Sequence, residues 1–143
     1  MTTRAQPKPV QAARVLLAVI GVGHLVIPAV MAAQEGALRE GIAAQHPGFD
    51  AAEAARSADI AVLSGAVFHG LLFVLCLLLA AKLDIDRPWT RRLATVSQLL
   101  SVAFGFFSWS SSPMFHAVIP VAAAMQLAVV VLIRIPRRSR ARL

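Results

Sequence analysis

Three long stretches of this chain, residues 15–33, 60–81 and 93–133, contain no Asp, Glu, Lys or Arg. A helix on a soluble protein keeps a polar face toward water, so charge is not shut out of it over such distances. A bilayer imposes that exclusion, because nothing in its hydrocarbon core solvates an ion. The charge budget agrees: 15% of the residues are charged, against about a quarter in an average soluble domain.

One crossing takes about 20 apolar residues, so residues 93–133 are about twice too long for a single span. The Ser110-Ser111-Ser112-Pro113 segment divides that stretch, and Pro113 suits the first turn of a new helix. The expected architecture is all-α: a single membrane domain with spans at about residues 13–33, 58–81, 93–111 and 113–133, packed as a four-transmembrane-helix bundle. Residues 34–57 form the one sizeable loop, broken at His46-Pro47-Gly48. It is read either as two short surface helices or as a solvated linker.

Basic residues orient the spans. Arg4, Lys8 and Arg14 precede the first, Lys82, Arg87, Arg91 and Arg92 lie between the second and third, and Arg134, Arg137, Arg138, Arg140 and Arg142 fill the tail at 134–143. The remaining two, Arg39 and Arg56, share the opposite side with Glu35, Glu40, Asp50, Glu53 and Asp59. The positive-inside rule therefore places both termini in the cytoplasm, with residues 34–57 outside the cell membrane. A basic leader before an apolar run also describes a secretory signal peptide. This run exceeds the usual core of roughly 7–15 residues and contains His24 and Pro28, so a retained span is expected. The net charge of +7 is thus accounted for by topology rather than by nucleic acid. The tail is expected to rest on anionic lipid headgroups, at about 1 kcal/mol per basic residue near the surface.

Helices in lipid recognise one another through small and polar residues. Arg91, Ala94, Gln98, Ser101, Gly105, Ser108 and Ser112 recur at steps of three and four along the third span, which is the seam of a left-handed bundle. His116, Ile119, Ala123, Gln126 and Val130 repeat it on the fourth; Gly21, His24, Pro28 and Met31 share a face of the first, and Val62, Gly65, His69 and Cys76 a face of the second. Counted at 1.5 Å per residue from Arg14 and Lys82, His24 and His69 lie roughly 15 and 20 Å into the membrane. Counted from Arg92 and Arg134, Gln98 and Gln126 lie roughly 9 and 12 Å in. Trp89 and Trp109 mark the two interfaces of the third span.

An ionisable side chain inside a membrane is a functional candidate because burying it is costly. His24 and His69 are the first such pair, and several roles stay open for them. They can each bond a neighbouring helix and do nothing more, bind a polar group of a lipophilic molecule, hold a metal, or ligate the iron of a haem b. Gln98, Ser101 and Gln126 read as interhelical hydrogen-bonding groups that could also line a ligand site. His116 with Ser108 and Ser112 resembles a hydrolase constellation, but no carboxylate within the membrane orients the imidazole. Asp59 is the nearest conceivable partner and reads better as an exposed carboxylate at a helix start. With one cysteine, Cys76, there is no CxxC pair for thiol redox or zinc chemistry. The lack of an intramembrane carboxylate argues against a proton-coupled exporter, and the lack of intramembrane arginines against a voltage sensor.

The Gly21-Val22-Gly23-His24, Phe68-His69-Gly70-Leu71-Leu72-Phe73 and Ser112-Pro113 segments together resemble the small DoxX-like four-helix membrane proteins of unknown function found in high-GC actinobacteria. That resemblance implies an architecture and no catalytic residue. The function expected is binding of a lipophilic small molecule or a partner membrane protein through the histidine layer, with no cofactor. The alternatives are a haem-binding redox component or an enzyme acting on an isoprenoid or lipid. A homodimer paired through a lipid-facing helix is also expected.

Overall fold

The computed structural model describes residues 6–84, 87–109 and 115–135. Five α-helices, and no strand, occur among the described residues: α1 Lys8–Ala33, α2 Glu35–Gln45, α3 Ala51–Lys82, α4 Pro88–Phe107 and α5 Val118–Arg134. The chain divides into two compact units, one of Gly21–Cys76 and the other of Met1–Ile20 with Leu77–Leu143.

In the Gly21–Cys76 unit the later part of α1 packs against α3. A Cβ on Gly21 would sit 3.2 Å from Cβ of Cys76, and one on Gly65 would sit 3.2 Å from Sδ of Met31. Glycine at these two positions lets the backbones approach, as small residues do at helix contacts in lipid. The contacts run Gly21 to Cys76 and Met31 to Gly65, so the helices are antiparallel. The helix α2 buries none of its residues; its Arg39 pairs with Glu35 and lies 3.8 Å from Asp59 on α3.

α3 begins earlier than the apolar pattern predicts. Asp50 accepts from the backbone N–H of Glu53 at 2.8 Å, and Glu53 accepts from that of Asp50 at 2.9 Å. This reciprocal capping box starts the helix just after the His46-Pro47-Gly48 break. The second short surface helix expected within residues 34–57 is therefore the first turns of α3 itself, whereas the first is α2. Nothing between Ala51 and Lys82 breaks the helix, since its alanines and charged residues propagate it readily. Its 32 residues reach about 48 Å, longer than a hydrocarbon core of about 30 Å.

In the other unit, Val10, Ala13, Leu17 and Ile20 form a buried stripe on the first half of α1. Arg14 donates to the carbonyls of Ala80 and Ala81, satisfying acceptors that the end of α3 leaves without helical partners. Thr90 Oγ1 donates to the carbonyl of Arg87 at 2.9 Å, fastening the first turn of α4. Helices α4 and α5 pack together. Arg91 reaches the carbonyl of Ile133 at 3.0 Å near one end, and Gly105 lies against Ile119 near the other, so this pair is antiparallel too. The fourth expected span is α5, which begins at Val118 rather than Pro113, with residues 115–117 in a turn. Ser110, Ser111, Ser112 and Pro113 lie outside the described residues.

Among the described residues two helices, α1 and α3, are long and apolar enough to cross a membrane. The core helix of a soluble protein would be mostly buried, but only 22% and 11% of their most apolar windows are. Val15, Val19, Val22 and Val26 lie exposed along α1, and Ile60, Leu63, Val67, Leu71, Val74 and Leu78 along α3. Such continuous apolar stripes are foreign to a water-facing surface. In α4 the charges of Arg91 and Arg92 and the polar Gln98 row dilute the apolar character, and α5 is apolar but shorter.

Candidate histidine-pair site

His24 stands one turn after Gly21 on the buried face of α1, and His69 stands one turn after Gly65 on α3. The close approach at Gly21 and Gly65 therefore brackets the two imidazoles. Their Nδ1 atoms are 3.0 Å apart and their ring centroids 5.2 Å apart, tilted by 32°. The spacing of the sequence placed both histidines on helix-facing stripes; the structure joins them to each other directly. His24 is buried and His69 half-buried, with the Phe68 ring set edge-on beside His69 at 5.4 Å.

The tautomers of a neutral pair follow from this contact. One ring donates its Nδ1–H and keeps a lone pair on Nε2; the other accepts at Nδ1 and carries its proton on Nε2. Neither Nε2 has a partner among the described residues, and neither is fully buried. With Nδ1 atoms 3.0 Å apart and centroids 5.2 Å apart, the rings lie nearly end to end, so the free donor and the free acceptor are the two outward-facing Nε2 atoms at opposite ends of the pair. A hydroxyl can bond at either end, donating to the one Nε2 or accepting from the other Nε2–H, and a carbonyl would use the donor end alone. A metal bridging the two Nδ1 atoms would hold them about 4 Å apart, twice a bond of about 2 Å. The observed spacing is that of a hydrogen bond, so a haem or metal would have to call on Nε2. No group of three or more His, Cys, Asp or Glu side chains gathers into a metal site among the described residues.

The other sequence candidates belong to the second unit. Gln98 is buried on α4, its Nε2 3.4 Å from Oγ of Ser97 on the same helix, and its Oε1 is buried without a partner among the described residues. Among the described residues the interhelical hydrogen bond expected of it is not made. Ser101 is half-buried one turn further along α4, and Gln126 is buried on α5. His116 lies in the turn before α5 and is exposed. Its ring stacks on Trp109 with centroids 4.4 Å apart, and its Nε2 contacts the Trp109 carbonyl oxygen at 2.7 Å. This histidine therefore closes a turn, with Nε2–H as the donor, and Asp59 faces Arg39 instead.

Sequence reading missed one cluster. Pro88, Arg91, Arg92 and Thr95 at the start of α4 and Arg134 at the end of α5 line a cavity of about 290 Å³. The signal was available, since Arg91, Arg92 and Arg134 were all assigned to the same membrane side, but their convergence depends on the antiparallel packing of α4 and α5. Comparison of the chain with models of protein families, with curated proteins and with solved structures finds no match.

Proposed function

We propose that the chain is a multi-pass protein of the cell membrane, a four-span bundle with both termini in the cytoplasm, that binds a lipophilic small molecule through His24 and His69. The observation that carries this reading is the 3.0 Å contact between the two imidazoles on helices whose outer faces are continuous apolar stripes. Either Nε2, a polar atom beside exposed apolar side chains, can serve as the polar anchor that fixes the orientation of a lipophilic ligand. The ligand class that fits is a long apolar molecule ending in one hydroxyl or carbonyl, such as an isoprenoid or fatty alcohol. Binding is favoured over catalysis because neither ring is hydrogen-bonded to a carboxylate among the described residues, so no base is oriented for proton transfer.

The test is purification in mild detergent followed by mass spectrometry of the organic extract. A lipophilic species should co-purify with the protein and be lost from the His24→Leu/His69→Leu variant, which should keep its helical circular dichroism and its elution volume. Equal retention by that variant would remove the histidine pair from the site. A Soret band in protein produced with ample haem would replace the lipophilic ligand with a haem.

A further inference from the structure

Pro28 lies inside α1, one turn after His24 and half-buried on the same face. In an α-helix the carbonyl of residue 24 accepts from the N–H of residue 28. Proline has no N–H, so the His24 carbonyl is left without its helical donor. A freed carbonyl in hydrocarbon is costly, and it is tolerated where a side chain, a neighbouring helix or a bound molecule satisfies it. The two close contacts, Gly21 with Cys76 and Met31 with Gly65, set the register of α1 against α3. In that register His69 stands opposite the turn from His24 to Pro28, and it is the one polar side chain of α3 between Phe68 and Phe73. Its Nδ1 is engaged with His24, while its Nε2 has no partner among the described residues.

We infer that the ligand of the histidine pair is a lipophilic alcohol, whose hydroxyl hydrogen goes to the His24 carbonyl and whose oxygen accepts from His69 Nε2–H. The inference rests on the proposed histidine site and narrows its ligand, because the imidazoles alone admit a hydroxyl or a carbonyl. A backbone carbonyl only accepts, so a ketone, an aldehyde or an ether, which only accept as well, leaves it unsatisfied. An ammonium would donate to it but would carry a charge among apolar side chains, which is costly in a membrane. The tautomers follow: with its proton on Nε2, His69 accepts at Nδ1 from the Nδ1–H of His24. Pro28 is then a specificity-determining residue that acts through the backbone atom it leaves open.

The test offers geranylgeraniol, its methyl ether and geranylgeranial in equal amounts to the detergent-purified full chain and reads what is retained by mass spectrometry. The alcohol should be preferred about fivefold over the other two, the size of one net hydrogen bond. Pro28→Ala returns an N–H to the His24 carbonyl, and alanine propagates a helix better than proline. That variant should keep its helical circular dichroism and retain the three molecules nearly equally. Equal retention of alcohol and ether by the wild-type chain, or an undiminished preference in Pro28→Ala, would overturn the inference and leave the histidine site standing. Retention of none of the three by the wild-type chain would overturn the histidine site and the inference with it.

Discussion

An imidazole carried into an apolar helix contact gives up its hydration, and the loss is tolerated only when another polar group replaces water. His24 and His69 replace it with each other, which makes their substitutions interdependent. His24→Leu alone strands a polar ring and should cost about 1–3 kcal/mol, whereas leucine at both positions removes the orphan along with its partner. A double-mutant cycle on thermal stability in detergent should give a coupling of about 0.6–1.7 kcal/mol, the range for hydrogen bonds between membrane helices; strictly additive losses would mean that the rings do not meet. The glycines beside them make a second test. Gly21→Leu drives a side chain into Cys76 and should cost about 1–3 kcal/mol, while Gly23→Leu, with nothing within 4 Å of its Cβ position, should change little. Thermal midpoints of the two variants decide the matter. At this scale the sequence made the faces Gly21/His24/Met31 and Val62/Gly65/His69 legible, because small and polar residues recur at helical spacing. It did not contain their register, since no local rule says which residue of α1 stands opposite which residue of α3.

Helix ends follow a different rule from helix faces. Hydropathy places the second span at residues 58–81, yet α3 runs from Ala51 to Lys82, because a helix continues through charged residues that a membrane excludes. The Asp50-Ala51-Ala52-Glu53 capping box was present in the sequence as a start signal and was overshadowed by the apolar run that follows. Asp50→Ala removes the acceptor for the Glu53 N–H and should cost about 1 kcal/mol. Hydrogen exchange should quicken at residues 51–56 and remain unchanged near His69; no local change would show that the box does not hold this end. The start of α5 went the other way. Pro113 looked like a first-turn residue, but the helix begins at Val118, after the turn that His116 closes against Trp109. Aromatic stacking across seven residues has no periodic signature, so a propensity reading passes over it. His116→Ala should therefore loosen this turn, quickening exchange at residues 117–120 without affecting retention of the ligand at His24 and His69.

For the whole molecule, the partition of charge was the most legible property, because it is imposed by the solvent and not by side-chain packing. The helical class, the long apolar α1 and α3 and their exposed apolar stripes agree with that partition. The three-arginine cavity was not legible, because it is assembled by two helix ends distant in the chain. The proposed four-span topology is the claim on which the proposed histidine site depends. It is tested most directly by a membrane-impermeant maleimide on cells producing Ala44→Cys or Lys82→Cys, two exposed positions that flank opposite ends of the apolar part of α3. Ala44→Cys should be labelled in intact cells and Lys82→Cys only after permeabilisation, with the protein in the membrane fraction. Labelling of Lys82→Cys from outside, or recovery of the protein in the soluble fraction, would contradict the account.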